Sequence, residues 1–173
     1  MISQIKKILY ATDLSKNSAY AFFYAADLAR RREARIVILH AVEPAPPHVE
    51  RYYGRFYGEG VEKVKEQQKK EITEEVKRRV ELFCQKAGAH LGGPCLELVS
   101  KILVLEGHPV EEILKVADDE GCDLLVLGNH GKGFLKQTFL GSVSRSVLDR
   151  IKKPVLIVPL PPEEVDIDWA EMS

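Results

Sequence analysis

The stretch Leu124–Leu148, LLVLGNHGKGFLKQTFLGSVSRSVL, decides how the chain folds. It opens on a run of β-type apolar residues that ends at Gly128. From Gly128 to Ser144 it carries four glycines, two serines, two lysines and one histidine, and after Ser144 it turns apolar at helical spacing. A buried strand that gives way to a glycine-rich basic loop and restarts as a helix is one unit of an α/β sheet. In such sheets ligands bind at the carboxyl ends of the strands, where the strand order reverses.

Working outward, the same alternation recurs. Ile5–Ala11 ends in a β-type run, and Ser15 or Asp13 can cap the helix after it. Ala19, Phe22, Phe23, Ala26 and Ala29 repeat at three and four, which predicts an amphipathic helix from Lys16 to about Arg32. Ala34–Val42 is a continuous apolar strand of the kind buried on both faces. Glu43–Gly60, with three prolines and three glycines, reads as a long connection. Connections of that length are lids, binding loops or disordered segments. Its aromatics Tyr52, Tyr53, Phe56 and Tyr57 suit a cover for a ligand, a partner surface or an ordered loop core alike.

Val61, Val64, Gln68, Ile72, Val76, Val80, Phe83 and Ala87 mark one long helix, about Gly60 to Lys86. Glu66–Lys70, Glu74–Arg78 and Glu75–Arg79 supply ion pairs on its wet side. Leu96–Gly107 is a third strand. Pro109 starts a helix with Val110, Ile113, Leu114 and Ala117 inward and Gly121 as its stop. Cys122–Gly128 is the fourth strand. Val143, Val147, Leu148 and Ile151 form the inner face of the helix after Gly141, and Lys153–Leu160 is the fifth strand. The order predicts an α/β fold: one domain over residues 1–160, an open five-stranded parallel sheet with helices on both faces, Rossmann-like, followed by an acidic tail over 161–173.

With 173 residues, 45% hydrophobic and 29% charged, the chain fits one domain with a full core. A net charge of -1 argues against a nucleic-acid footprint. No apolar run reaches the length of a membrane span, and the N-terminal apolar run, Ile8–Ala11, is too short for a signal peptide. Cys84, Cys95 and Cys122 are odd in number and form no CxxC, so they read as reduced thiols of a cytoplasmic protein.

The glycine loop has the makings of a phosphate cradle. A helix start presents free N–H groups, and glycines let backbone approach an anion without Cβ clashes. Ser142 and Ser144 add hydroxyls, and Lys132 and Lys136 add charge. GxxxxGK[ST] is absent, and Gly131 and Gly133 begin a dinucleotide fingerprint that Lys136 breaks. His130 suits a phosphate contact, a solvent-facing role or catalysis, but no nucleophile or second base is placed beside it. His40, at the end of a buried strand, reads as a satisfied core histidine.

The spacing Gly128-x2-Gly131-x9-Gly141-Ser142 resembles the ATP-binding signature of the universal stress protein family. KKILYATDLS, VILHAVEP and KPVLIVP look like the family's first, second and last strands, so the resemblance covers nearly the whole chain. It implies an adenine nucleotide alpha hydrolase-like fold and an ATP site of Ala11, Thr12, Asp13, Ala41, Gly128, His130, Gly131, Lys132, Gly133, Gly141, Ser142, Val143 and Ser144. Gly128, Gly131, Gly141 and Ser142 would line ribose and phosphates, and Ala41 would present backbone to the adenine edge. Asp13 would face the nucleotide and reach its metal directly or through water, unless it serves only as a helix cap. Mg²⁺ or Mn²⁺ would be held mainly by the phosphates. The resemblance further implies a homodimer through Val155–Val158, and a cytoplasmic stress-response protein for which ATP is a conformational signal. A slow ATPase at the same site is the alternative, and an interaction module that only retains the fold is the third reading. No catalytic residue is assigned, because the loop offers no carboxylate to activate water.

Overall fold

Five runs become parallel strands, and the central ones are buried on both sides by the helices that connect them. The computed structural model of the chain describes residues 4–129 and 140–159. The strands are β1 (Lys7–Ala11), β2 (Arg35–Val42), β3 (Val99–Glu106), β4 (Leu124–Gly128) and β5 (Val155–Val158). Their spatial order is β3-β2-β1-β4-β5, all parallel, as the alternation of elements requires. Alternate residues face opposite helical layers. Ile8, Tyr10, Ile36, Ile38 and Val126 pack under α1 (Lys16–Arg32) and the buried half of α3 (Val61–Leu91). Leu9, Val37, Leu39, Leu125 and Leu127 pack under α4 (Pro109–Asp119) and α5 (Ser142–Leu148). The result is one α/β domain with a five-stranded parallel sheet between two helical layers.

Several boundaries differ from the sequence reading, each for a physical reason. Within Glu43–Gly60 the chain forms α2 (Pro47–Tyr57) and a short 3-10 turn, Gly58–Gly60. Pro44, Pro46 and Pro47 all fall at or before the first helical turn, where proline is tolerated. Tyr52 and Phe56 (ring centroids 4.5 Å apart) and Tyr53 and Tyr57 (5.8 Å) pair four residues apart, the helical signal that the prolines concealed. Helix α3 runs past Lys86 to Leu91 and stops at Gly92, whose φ of 73° favours glycine. Leu96–Leu98 forms a 3-10 turn, so β3 starts only at Val99. Leu148, expected inside, is 41% exposed on the seven-residue α5, while Ser144 and Val147 are buried.

The cysteines require a correction. Cys84 on α3 and Cys95 form a disulfide, their Cα atoms 5.3 Å apart. Counting cysteines and searching for CxxC misses a pair that a helix end and the next turn bring together. Cys122 remains a free, buried thiol, pushed up to about 11 by burial.

Candidate functional site

The chain leaves β1 for β2 on one side and returns to β4 on the other. The carboxyl ends of β1 and β4 therefore form the switch point where open α/β sheets take ligands. On the β1 side the turn Thr12–Ser15 is held by its own side chains. The Thr12 N–H donates to the Leu39 carbonyl (2.9 Å), continuing the ladder one residue past the strand. Thr12 Oγ1 accepts from the Leu14 N–H (3.0 Å) and from Ser18 Oγ (2.6 Å). Asp13 Oδ1 accepts from the Ser15 N–H (3.0 Å), and Ser15 Oγ caps α1 by accepting from the Ser18 N–H (3.3 Å). Of the two cap candidates, Ser15 occupies the cap and Asp13 braces the turn before it.

Tyr10 donates its hydroxyl to the Ser18 carbonyl (2.7 Å), and burial pushes that phenol up to about 12. His40 Nδ1 lies 2.8 Å from the Thr12 carbonyl, so this histidine is spent on holding the turn. Leu14 sits in the left-handed region at φ 64°. A non-glycine residue there costs about 1–2 kcal/mol and persists only where its surroundings over-determine it. Its carbonyl accepts from Arg79 Nη1 of α3 (3.1 Å).

On the β4 side, Gly128 ends the strand and its carbonyl accepts from Ser144 Oγ (2.9 Å). The Ser144 hydroxyl is thus committed within the protein, and its backbone is what it can offer a ligand. The Gly141 N–H donates to the Asn129 carbonyl (2.6 Å), and the Asn129 N–H to the Val158 carbonyl (2.8 Å). Gly128 and Gly141 are thereby joined at the neck of the loop. Ser142 is exposed and Val143 half-buried at the start of α5. Ala11 and Ala41 are half-buried at the ends of β1 and β2. His130, Gly131, Lys132 and Gly133 lie outside the described residues, as does Lys136.

The structure also brings in residues that the motif does not contain. Asn17, in the first turn of α1, is 3% exposed, yet neither its Nδ2 nor its Oδ1 has a hydrogen-bond partner among the described residues. A Cβ at Gly128 would lie 2.1 Å from Asn17 Nδ2, so the missing side chain at Gly128 makes room for this carboxamide. Asn129 Oδ1 is likewise buried without a partner among the described residues. Unsatisfied buried amides at a switch point call for an explanation, and a bound ligand is one. A sequence signal existed: Asn17 begins the four-residue series continued by Ala21, Ala25 and Ala29, which are fully buried, so it is a polar residue on the inward stripe of α1.

The universal stress protein family model matches residues 4–159. The chain belongs to the universal stress protein family. It is similar to universal stress protein MJ0577 of Methanocaldococcus jannaschii, with 32% identity over 88% of this chain and 94% of the relative. The solved structure of MJ0577 superposes with a TM-score of 0.65 at 31% identity, covering 93% of this chain and all of that one. A universal stress protein solved in complex with cAMP shares the fold at a TM-score of 0.56 and 23% identity, over 92% of this chain and all of that one. Among the described residues of this family member, no helix is long and apolar enough to cross a membrane. No cluster of three or more His, Cys, Asp or Glu residues that could hold a metal occurs among them either. Asp13 is the one carboxylate in the turn Thr12–Ser15.

Proposed function

We propose that the protein binds an adenine nucleotide, ATP first among them, across the carboxyl ends of β1 and β4, and that the bound nucleotide is a conformational signal in a stress response. The observation that carries this reading is the carboxamide of Asn17, buried against Gly128 and unpartnered among the described residues. A ligand with hydrogen-bonding groups at the switch point would satisfy it, and the cAMP complex of a family member supplies the chemical class. In this reading Asp13, Ala41, Gly128, Gly141, Ser142 and Val143 would supply backbone and carboxylate groups to the nucleotide. The loop residues His130, Gly131, Lys132 and Gly133 complete the proposed set. Mg²⁺ would be held by phosphate oxygens and water, with Asp13 at its outer shell.

Binding needs only these groups. Hydrolysis also needs an oriented water and stabilisation of the leaving charge. Turnover is therefore expected below the roughly 1 s⁻¹ at the bottom of ordinary enzyme rates. Mass spectrometry of the purified chain and calorimetry with ATP, ADP, AMP and cAMP test the reading. The expected outcome is ATP affinity in the micromolar range, about -8 kcal/mol. Failure of all four to bind or to co-purify would refute it. The same proposal includes a cytoplasmic homodimer paired through β5, an edge strand of the sheet, with residues 161–173 outside the nucleotide domain.

A further inference from the structure

We propose that Arg79 is a positioning residue of the nucleotide turn: from α3 it holds the strained Leu14 peptide and, through it, the direction of Asp13. The inference rests on the nucleotide reading of that turn. Two of the bonds that keep Leu14 at positive φ are local, Thr12 Oγ1 to the Leu14 N–H and Asp13 Oδ1 to the Ser15 N–H. Both are made by residues of the turn itself, so both move when the turn moves. The bond to the Leu14 carbonyl differs, because it comes from Arg79, 65 residues away. It ties the turn to a second element.

Arg79 is itself fixed. Its Nε donates to Glu75 Oε1 (2.7 Å), so the planar guanidinium meets a carboxylate with one N–H and the Leu14 carbonyl with another. Val76, three residues before it, and Val80, next to it, are buried, and its own side chain is 23% exposed. The stem lines a cavity of about 30 Å³ together with Tyr10, Thr12, Leu14, Ser15 and Phe83. That is room for about one water. The turn thus has free space on the α3 side, and Arg79 is the donor that keeps the Leu14 carbonyl drawn toward it. The peptide whose carbonyl Arg79 holds also carries the Ser15 N–H that donates to Asp13 Oδ1 (3.0 Å), so the plane that Arg79 sets also sets where the Asp13 carboxylate points.

The test is a double-mutant cycle on the full chain, read in two ways: calorimetry with ATP and Mg²⁺, and amide hydrogen exchange at Leu14 and Ser15 without nucleotide. Arg79→Met keeps the stem in the cavity and removes the donor. It is expected to weaken ATP about tenfold, 1.4 kcal/mol, and to speed exchange at both amides by a similar factor. Glycine takes a positive φ without strain. Leu14→Gly alone is therefore expected to stay within about threefold of wild type, and Arg79→Met to cost less than about threefold in that background. An equal loss in both backgrounds, with exchange unchanged, would overturn the proposal and leave Arg79 acting through its charge. Should Arg79→Met not fold, Arg79→Lys decides. Loss of the two-armed contact predicts weaker ATP binding and faster exchange, and wild-type behaviour on both would overturn the proposal. If wild-type protein does not bind ATP, the nucleotide reading fails, while the exchange measurement still decides whether Arg79 holds the turn.

Discussion

Asn17→Ala should stabilise the ligand-free protein and weaken its ligand binding at once. The carboxamide is buried at 3% exposure with both polar atoms unpartnered among the described residues. An unsatisfied buried polar group costs about 1–3 kcal/mol. Removing it forfeits some packing, about 1 kcal/mol for a group of this size, and gains roughly half a kcal/mol of helix propensity. The net is about 1 kcal/mol in favour of alanine, or a Tm rise of about 2–4 °C for a chain of this length. Loss of one hydrogen bond to the ligand should raise the Kd for ATP about tenfold. The partner substitution sharpens the test. Gly128→Ala alone drives a Cβ to 2.1 Å from Asn17 Nδ2 and 3.1 Å from its Cγ, an overpacking that costs about 1–3 kcal/mol. In the Asn17→Ala background most of that cost should vanish, because the clashing atoms are gone. Thermal and urea denaturation of the four proteins, with and without ATP, measure every term. If Asn17→Ala destabilises the ligand-free protein by more than about 1 kcal/mol, the carboxamide is satisfied without ligand and the reasoning fails.

Gly141→Val should abolish ATP binding while leaving the fold intact, because a branched side chain would fill the space of a phosphate oxygen; unchanged calorimetry would remove the cradle. Sedimentation should find a homodimer at micromolar concentration, and Ile157→Pro on edge strand β5 should dissociate it, since proline lacks the ladder donor. Reducing Cys84–Cys95, which lie 11 residues apart, should cost about 3 kcal/mol by chain entropy; thermal unfolding with and without reductant reads the change, and an unchanged Tm would mean that the bridge contributes nothing. Hydrogen bonds from Arg78 and Arg79 hold the Glu75 carboxyl at about 2, below its ordinary 4.5. A depressed carboxyl stabilises above pH 4.5 and loses that contribution as pH falls toward 2. Because Glu75 is 36% exposed, solvent screening limits the effect to about 1 kcal/mol, and Glu75→Gln should flatten the stability profile over that window.

The sheet was legible because the strands are built on apolar runs, in β3 the run Ile102–Leu105 after Ser100 and Lys101, and the helices over them keep a 3.6-residue stripe; β2 and α1 fall within a residue of where the pattern puts them. The pattern failed where two signals competed. Prolines outweighed the i,i+4 aromatics of α2, although all three lie at or before its first turn. The end placed at about Lys86 came too early: a Cβ at Gly88 would meet nothing closer than 3.8 Å, and the helix ends only where Gly92 takes a positive φ. Of the candidate site, the glycines and serines were proposed from their spacing. Asn17 showed in the sequence only as a polar residue on the inward stripe of α1, because its place against Gly128 depends on an element 111 positions away. Ion pairs were half legible: Glu75–Arg79 forms as spaced, whereas Arg78 turns to Glu75.

Helix α3 shows what periodicity leaves open, and why Arg79 stands where it does. Thirty-one residues span about 46 Å, far more than a strand of five or eight residues can cover. The apolar stripe runs from Val61 onward, but buried residues begin only at Val76. Ahead of that point the helix is tied down by surface contacts such as Lys65 with Glu50 (3.5 Å) and Glu106 (3.4 Å), pairs worth at most about 1 kcal/mol each. The first half of α3, and α2 with its exposed Tyr52 and Phe56, should therefore open locally at a free energy well below that of the sheet. Arg79 lies between Val76 and Val80, in the first turns that the core holds firmly. Its grip on Leu14 belongs to the rigid half of the helix, so the outer half and α2 can open without releasing the Thr12–Ser15 turn.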